Sequence, residues 1–110
     1  MKIYIEETIS ATAYVVTGAL AMITAEVPIR NQEESAREFS LYNQILDPSG
    51  NIVTTTETRY RLGSGAAETI LDELLRVKDP INELKGYTMR SLLLVGEEVV
   101  DTKEVEIRIV

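Results

Sequence analysis

Short β-prone segments separated by turns fill the second half of the chain, and they constrain the fold more than any other feature. The clearest of these segments are residues 41–47, 52–62, 87–95 and 99–110. In the last one, Val105, Ile107 and Ile109 alternate with charged side chains, which is the period of a strand with one buried face. Short strands at this spacing are typical of an antiparallel β-sandwich.

Turn chemistry separates the segments at 37–47 and 52–62. In the tetrapeptide Asp47-Pro48-Ser49-Gly50, the Asp side chain can bond back to the backbone, Pro presets φ, and Gly tolerates a left-handed conformation. This pattern predicts a hairpin.

The run Leu92-Leu93-Leu94 breaks the alternation of the segment at 87–95. It predicts a central strand that is covered on both faces.

The first half contains one further alternating segment, at residues 21–29. Its apolar row predicts a strand with one buried face, and Pro28 predicts that the end of this strand lies at a sheet edge or a bulge. The members of the row are Ile23, Ala25, Val27 and Ile29.

Residues 1–20 contain two short β-prone pieces and allow two interpretations. They can form the first strand of the chain's own sandwich, or an arm that pairs with the open sheet edge of a neighbouring molecule. In the second case the interface residues are Ile3, Tyr4, Ile5, Tyr14, Val15 and Val16.

Residues 66–77 are ambiguous between strand and helix. Ala67, Ile70, Leu71, Leu74 and Leu75 fall at helical spacing, whereas a strand would carry apolar side chains on both faces. Local spacing therefore favours a helix at 66–76, which would make the domain α+β.

Three motifs resemble the immunoglobulin-like sandwich domain of family 2 glycoside hydrolases. They are the hairpin I-L-D-P-S-G-N-I-V at 45–53, the strand Y-T-M-R-S-L at 87–92 and the turn G-E-E-V-V-D at 96–101. Residues 25–31, A-E-V-P-I-R-N, are similar to that domain's V-x-V-x-V-x-N strand. The resemblance covers roughly residues 21–109, although the family's Trp has no counterpart.

The resemblance implies an all-β fold, an immunoglobulin-like antiparallel sandwich of about seven strands, with a strand at 66–77. It also implies a domain without hydrolase activity, because the catalytic carboxylates of that family lie in a separate barrel. The chain is long enough for one such domain, spanning residues 1–110.

Composition excludes several classes of function. The 18 acidic and 11 basic residues give a net charge of −7, which offers no cationic footprint for nucleic acid. Neither Cys nor His occurs, so thiol nucleophiles, zinc ribbons and His-based triads are excluded. We therefore predict no catalytic residues, no cofactor and no metal site.

The remaining polar motifs are explained by solvated charge or by turns. Adjacent carboxylates on a strand point to opposite faces, whereas glycosidase chemistry needs two that face each other. The Gly-Ser-Gly run lacks the Lys of a phosphate loop, and one Asp with one Asn offers too few calcium ligands. The residues concerned are Glu6-Glu7, Glu33-Glu34, Glu97-Glu98, Gly63-Ser64-Gly65, Asp47 and Asn51.

Two function hypotheses follow. The first is a non-enzymatic structural or interaction module of a larger assembly, namely a decoration, neck or tail component of a phage or virus particle. The alternative is a carbohydrate-associated accessory domain related to the glycoside hydrolase sandwich domains. The predicted partners are proteins, including further copies of this chain, and neither nucleic acid nor membrane.

The sequence also predicts a location. Glu6 and Glu7 stand where the apolar region of a secretory signal would begin, and the apolar stretch at 11–23 is too short to span a bilayer. We expect a protein that is not exported by a signal of its own, and that resides in the cytoplasm or in a virus particle.

Overall fold

The computed structural model describes residues 2–17, 20–77 and 84–110, and these residues form an all-β sandwich with no α-helix. The predicted fold class is therefore confirmed. The strands are β1 Ile3–Ile5, β2 Ser10–Thr17, β3 Leu20–Asn31, β4 Arg37–Leu46, β5 Ile52–Leu62, β6 Ala67–Val77, β7 Thr88–Val95 and β8 Glu98–Ile109.

The strands form two layers. In sheet A, the central strand β3 pairs with β6 on one side and with β1 and β2 on the other. In sheet B the order is β5-β4-β7-β8, with antiparallel neighbours throughout. The β4–β5 hairpin begins and ends where the Asp-Pro-Ser-Gly turn predicted.

Strand β8 joins the two sheets on one side of the sandwich. Its first part pairs antiparallel with β7, and Ile107–Ile109 then pairs parallel with Ala11–Ala13 of β2. We call this the closed side. On the opposite side, β5 and β6 are the outermost strands of their sheets and pair only with β4 and β3, respectively, among the described residues. We call this the open side.

The core lies between the sheets and follows the predicted alternation. Ile23, Val27 and Ile29 of β3 are fully buried, and they face Leu41 and Ile45 of β4 across the interlayer space. Burying an aliphatic side chain of this size contributes roughly 1.5–3 kcal/mol. The period-two rows of the sequence are therefore the rows that hold the layers together.

The helix alternative for residues 66–76 is wrong, because β6 is a strand along its whole length. It pairs with β3 from Ala67 opposite Arg30 to Val77 opposite Ala21. Tertiary pairing overrides the helical spacing and leaves apolar side chains on both faces, with Ile70 buried at 5% and Leu71 exposed at 72%.

The prediction of a sheet edge or a bulge at Pro28 is also wrong, since β3 is the central strand of sheet A and its register with β6 shifts between Ile23 and Thr24 instead. Pro28 lies opposite the gap between β1 and β2, where the carbonyl of Pro28 accepts a 2.8 Å hydrogen bond from the backbone N–H of Glu6. A strand residue directs its N–H and C=O to the same side. The missing backbone N–H of Pro28 therefore interrupts no hydrogen bond, because the pairing of β3 with β1 and β2 has a gap at this residue.

The N-terminal segment packs on its own chain. Strands β1 and β2 both pair with β3, and Ile3 and Ile5 are buried at 1% exposure in the core. Two contacts with β8 fasten the segment: the backbone N–H of Ile5 donates to Asp101 Oδ2 at 2.8 Å, and Lys103 Nζ lies 2.8 Å from Glu7 Oε1.

One end of the sandwich is organised by a buried asparagine at the end of β3. The Nδ2 group of Asn31 lies 3.0–3.2 Å from the carbonyls of Leu62, Gly63 and Ser35, while its Oδ1 accepts from the backbone N–H of Glu33. A buried amide is stable only when its polar atoms are paired. Asn31 thus ties the β3–β4 connection to the β5–β6 turn.

Candidate interaction surface

The paired carboxylates of the N-terminal region are engaged in surface ion pairs. Glu6 Oε1 lies 2.9 Å from Arg30 Nε and raises the pKa of that guanidinium. Lys103 donates to Glu7 and lowers the pKa of its carboxyl. Neither pair faces a second carboxylate across a cleft, as glycosidase chemistry requires.

The other polar motifs form turns. Asp47 Oδ1 accepts 2.9 Å hydrogen bonds from the backbone N–H groups of Ser49 and Asn51, and the Asn51 bond is the main cause of the lowered pKa of Asp47. Gly65 has a φ of 71° in the β5–β6 turn.

Within residues 2–17, 20–77 and 84–110, no group of three or more potential metal ligands comes together. In the same residues, no helix is long and apolar enough to cross a membrane.

A buried polar network crosses the core near the open side, and sequence reasoning missed it. Ser91 Oγ donates to Asn43 Oδ1 at 2.5 Å, and both residues are fully buried. Asn43 Nδ2 donates at 3.1 Å to Asp72 Oδ2, which also accepts from Thr56 Oγ1 at 2.7 Å. We call these four residues the polar latch. Each member is hydrogen-bonded to another member, with Asn43 and Ser91 buried and Thr56 and Asp72 half-buried.

A second contact across the open side joins β5 to β6. The Tyr60 hydroxyl donates to Glu68 Oε1 at 2.8 Å, which raises the pKa of Tyr60, and the Tyr60 ring stacks on Phe39 with centroids 6.0 Å apart. Among the described residues, the side-chain hydrogen bonds between β5 and β6 are therefore this one and the bond from Thr56 to Asp72 of the polar latch.

The residues predicted to form an N-terminal interface are divided by the fold. Ile3 and Ile5 face the core, whereas Tyr4 and Tyr14 are half-buried on the outer face of sheet A. The Tyr14 hydroxyl contacts Met22 Sδ at 3.4 Å. The side chains of Val15 and Val16 lie outside the described part of the structure. An interface on this segment stays a prediction, and in this fold it would use Tyr4 and Tyr14.

The outer face of sheet B carries a small apolar patch of two half-buried leucines and one exposed valine. Tyr42 is paired in register with Leu92, and Ser40 with Leu94, which is in turn opposite Val99. Leu92 and Leu94 are half-buried, and Val99 is 49% exposed. We call this set, Ser40, Tyr42, Leu92, Leu94 and Val99, the sheet B face.

The three consecutive leucines thus have two environments. Leu93 is fully buried in the core, as expected for the central strand that the sequence predicted. Leu92 and Leu94 point outward and are half-buried, so the described residues supply only part of the predicted second cover. An apolar patch on a sheet face with a polar rim is typical of a surface that docks another protein.

Hydrogen-bonded polar side chains form that rim. The Tyr42 hydroxyl donates to Glu57 Oε2 at 2.9 Å, which raises the pKa of Tyr42. Arg90 Nε donates to Gln44 Oε1 at 2.9 Å in the next row along β4 and β7. These bonds fix the side chains around the patch, so the sheet B face is preorganised.

Aromatic side chains are not gathered into a sugar-stacking platform. Tyr4 and Tyr14 share the outer face of sheet A but pair with Arg30 and Met22, eight residues apart on β3 or roughly 27 Å. Tyr42 lies on the opposite layer and Tyr60 on the open side. Among the described residues, no three tyrosines share one exposed face.

Comparison with known proteins supports the resemblance in fold. No protein-family model and no curated protein matches the chain. A β-glucuronidase from Bacteroides uniformis is similar to it with a TM-score of 0.82 and 15% identity, over 94% of this chain and 14% of that one.

Two further solved structures agree. A glycosyl hydrolase family 2 member from Bacteroides cellulosilyticus gives a TM-score of 0.81 and 20% identity, over 94% of this chain and 14% of that one. A β-glucuronidase from glycoside hydrolase family 2 gives 0.77 and 21%, over 98% and 13%. The chain therefore has the fold of a domain-sized part of family 2 glycoside hydrolases and spans about a seventh of their length.

Proposed function

We propose that this chain is a non-catalytic accessory domain of a carbohydrate-active assembly, and that it holds a protein partner on the sheet B face. The observation that carries the proposal is the overlay of nearly the whole chain on one small part of family 2 glycoside hydrolases. This favours the carbohydrate-associated alternative over the virus-particle component.

The arrangement of carboxylates supports a non-catalytic role. The inward-facing carboxylates of β6 are hydrogen-bonded across the open side, Asp72 to Asn43 and Thr56, and Glu68 to Tyr60. A general acid and a nucleophile must instead face a common space that admits a sugar. We expect the purified chain to release no chromophore from aryl β-glucuronides or β-galactosides.

The surface supports a protein partner rather than a sugar. A sugar site would stack its ligand on grouped aromatic rings, and the tyrosines here are dispersed over both layers. The sheet B face instead offers adjacent aliphatic side chains, Leu92, Leu94 and Val99, inside a polar rim. This is the composition of the apolar core and polar rim of a protein–protein interface.

Site-specific photo-crosslinking tests the proposal. A photoreactive amino acid replaces Leu92 in cells that naturally make the protein, and the crosslinked partner is identified by mass spectrometry. The matched control replaces Leu71, which is 72% exposed on the outer face of sheet A. Both positions are outward-facing leucines on strands, with Leu92 half-buried and Leu71 exposed, and they probe the outer faces of opposite layers.

We expect a carbohydrate-active enzyme, or another part of the same polypeptide with that chemistry, to be crosslinked at Leu92 and not at Leu71. Crosslinks to virus-particle proteins would overturn the proposal in favour of the first function hypothesis. Equal crosslinking from both positions would show that the sheet B face is not the docking surface.

A further inference from the structure

Strand β5 presents a free backbone edge along the open side. It pairs with β4, and no other described strand joins its ladder. Proteins block such edges with proline, lysine or bulges, but β5 contains neither proline nor lysine. Its ladder slips once, at Val53, and then runs without interruption from Thr54 to Leu62. This regular stretch is a template on which another strand can pair.

The charged side chains of β5 favour a second copy of the same strand as the partner for that edge. Glu57 and Arg59 project from its outer face, two residues apart. In an antiparallel pairing of two copies about Thr58, Glu57 of one copy lies opposite Arg59 of the other, and the reverse pair forms by symmetry. Thr58 is also the midpoint of the regular stretch from Thr54 to Leu62, so this register uses all of it.

Neighbouring registers are less favourable. Centring the pairing on residue 57 places Glu57 against its own copy, and centring it on residue 59 does the same for Arg59. Like charges directly opposite each other destabilise paired strands. The register about Thr58 forms two opposite-charge pairs and no like-charge pair.

The free chain already holds these side chains in suitable positions. Tyr42 fixes Glu57 by a 2.9 Å hydrogen bond, whereas Arg59 lies 3.5 Å from the same carboxylate with its side chain 84% exposed. An exposed ion pair of this kind is weak. Arg59 can therefore turn to the opposing carboxylate at little cost.

We infer that two copies of this chain pair through β5, antiparallel about Thr58, and join their four-stranded B sheets into one continuous sheet of eight strands. The two-fold axis of such a pair is normal to the sheet, so both sheet B faces stay on the same side and remain uncovered. The inference goes beyond the proposed function and does not rest on it.

Sedimentation velocity of the purified chain from about 10 µM to about 1 mM tests the inference. We expect a reversible dimer of twice the 12.3 kDa chain mass that weakens as salt screens the charge pairs. Glu57→Arg and Arg59→Glu should each weaken dimerisation roughly tenfold or more, and the double exchange should restore it to within about threefold.

One variant serves as a matched control. Glu73→Arg makes the same charge change as Glu57→Arg, but on β6 and away from the free edge of β5. It should not alter dimerisation by more than about threefold. Circular dichroism confirms that each variant is folded, and the salt titration of the unmodified chain needs no substitution. A monomer throughout the concentration range, or a dimer that survives both single reversals, would overturn the inference.

Discussion

On the closed side of the sandwich the two sheets are joined by backbone, and on the open side they are joined by side chains. At the closed side, β2 and β8 pair in parallel, and Ala11 and Ala13 supply the small buried side chains at that seam. At the open side, β5 and β6 meet through the polar latch and the bond between Tyr60 and Glu68.

Because of this difference, added side-chain bulk and the loss of a hydrogen-bonding side chain should destabilise different sides of the sandwich. A backbone ladder accepts almost any residue but not added bulk, because the layers are close-packed there. A side-chain hydrogen bond depends on the identity of both partners, since a buried group left unpaired loses its solvation. The backbone edge of β5 is free at the open side, whereas the corresponding edge of β8 is paired with β2 at the closed side.

The largest expected effect comes from breaking the polar latch. Asn43→Leu leaves Ser91 and Asp72 without their shared partner in the core, and we expect the free energy of unfolding to fall by about 3 kcal/mol. Urea unfolding measures this loss. The matched control is Gln44→Leu on the solvent side of the same strand, with an expected change within about 0.5 kcal/mol. Similar losses for the two variants would contradict the role given to the latch.

The closed side should instead be destabilised by a larger side chain at the seam between β2 and β8. Ala13 is fully buried where β2 meets β8, so Ala13→Leu should force the two strands apart at a cost of about 2 kcal/mol. Thr12→Leu adds bulk to the outer face of the same strand and should cost much less. If urea unfolding finds Ala13→Leu as stable as Thr12→Leu, the seam is not close-packed.

The smallest effect is expected at the turn that connects β4 to β5 on the open side. Hydrogen bonds to Asp47 lower the pKa of its carboxyl from the ordinary 3.8. The ionised carboxylate therefore stabilises the folded state at pH values above 3.8. This stabilisation is lost as the pH falls through the lowered pKa of the folded state. Asp47→Asn should therefore reduce the urea midpoint at pH 7 and make little difference near pH 2. Equal reductions at both pH values would exclude this linkage.

Period-two rows made most of the fold predictable. The burial of Ile23, Val27 and Ile29, and the bounds of β4, β5, β7 and β8, follow from alternation and turn chemistry. Strand β6 was not predictable from local spacing, because its pairing with β3 outweighs the helical spacing of its apolar residues and leaves Leu71 exposed.

The candidate surface was only partly predictable. The run Leu92-Leu93-Leu94 predicts a central strand covered on both faces, whereas the core buries Leu93 and leaves Leu92 and Leu94 half-buried on the outer face. The polar latch was missed because Asn and Ser are usually interpreted as solvent-facing. A signal was nevertheless present: Asn43 is in phase with Leu41 and Ile45, so its register predicted an inward side chain.

The central claim is that the sheet B face docks a protein partner of a carbohydrate-active assembly. Its most direct measurement is the yield and identity of photo-crosslinks from position 92 relative to position 71. We expect a dominant adduct with a carbohydrate-active partner at Leu92 and little adduct at Leu71. A dominant adduct at Leu71, or a Leu92 adduct with particle proteins alone, would contradict it.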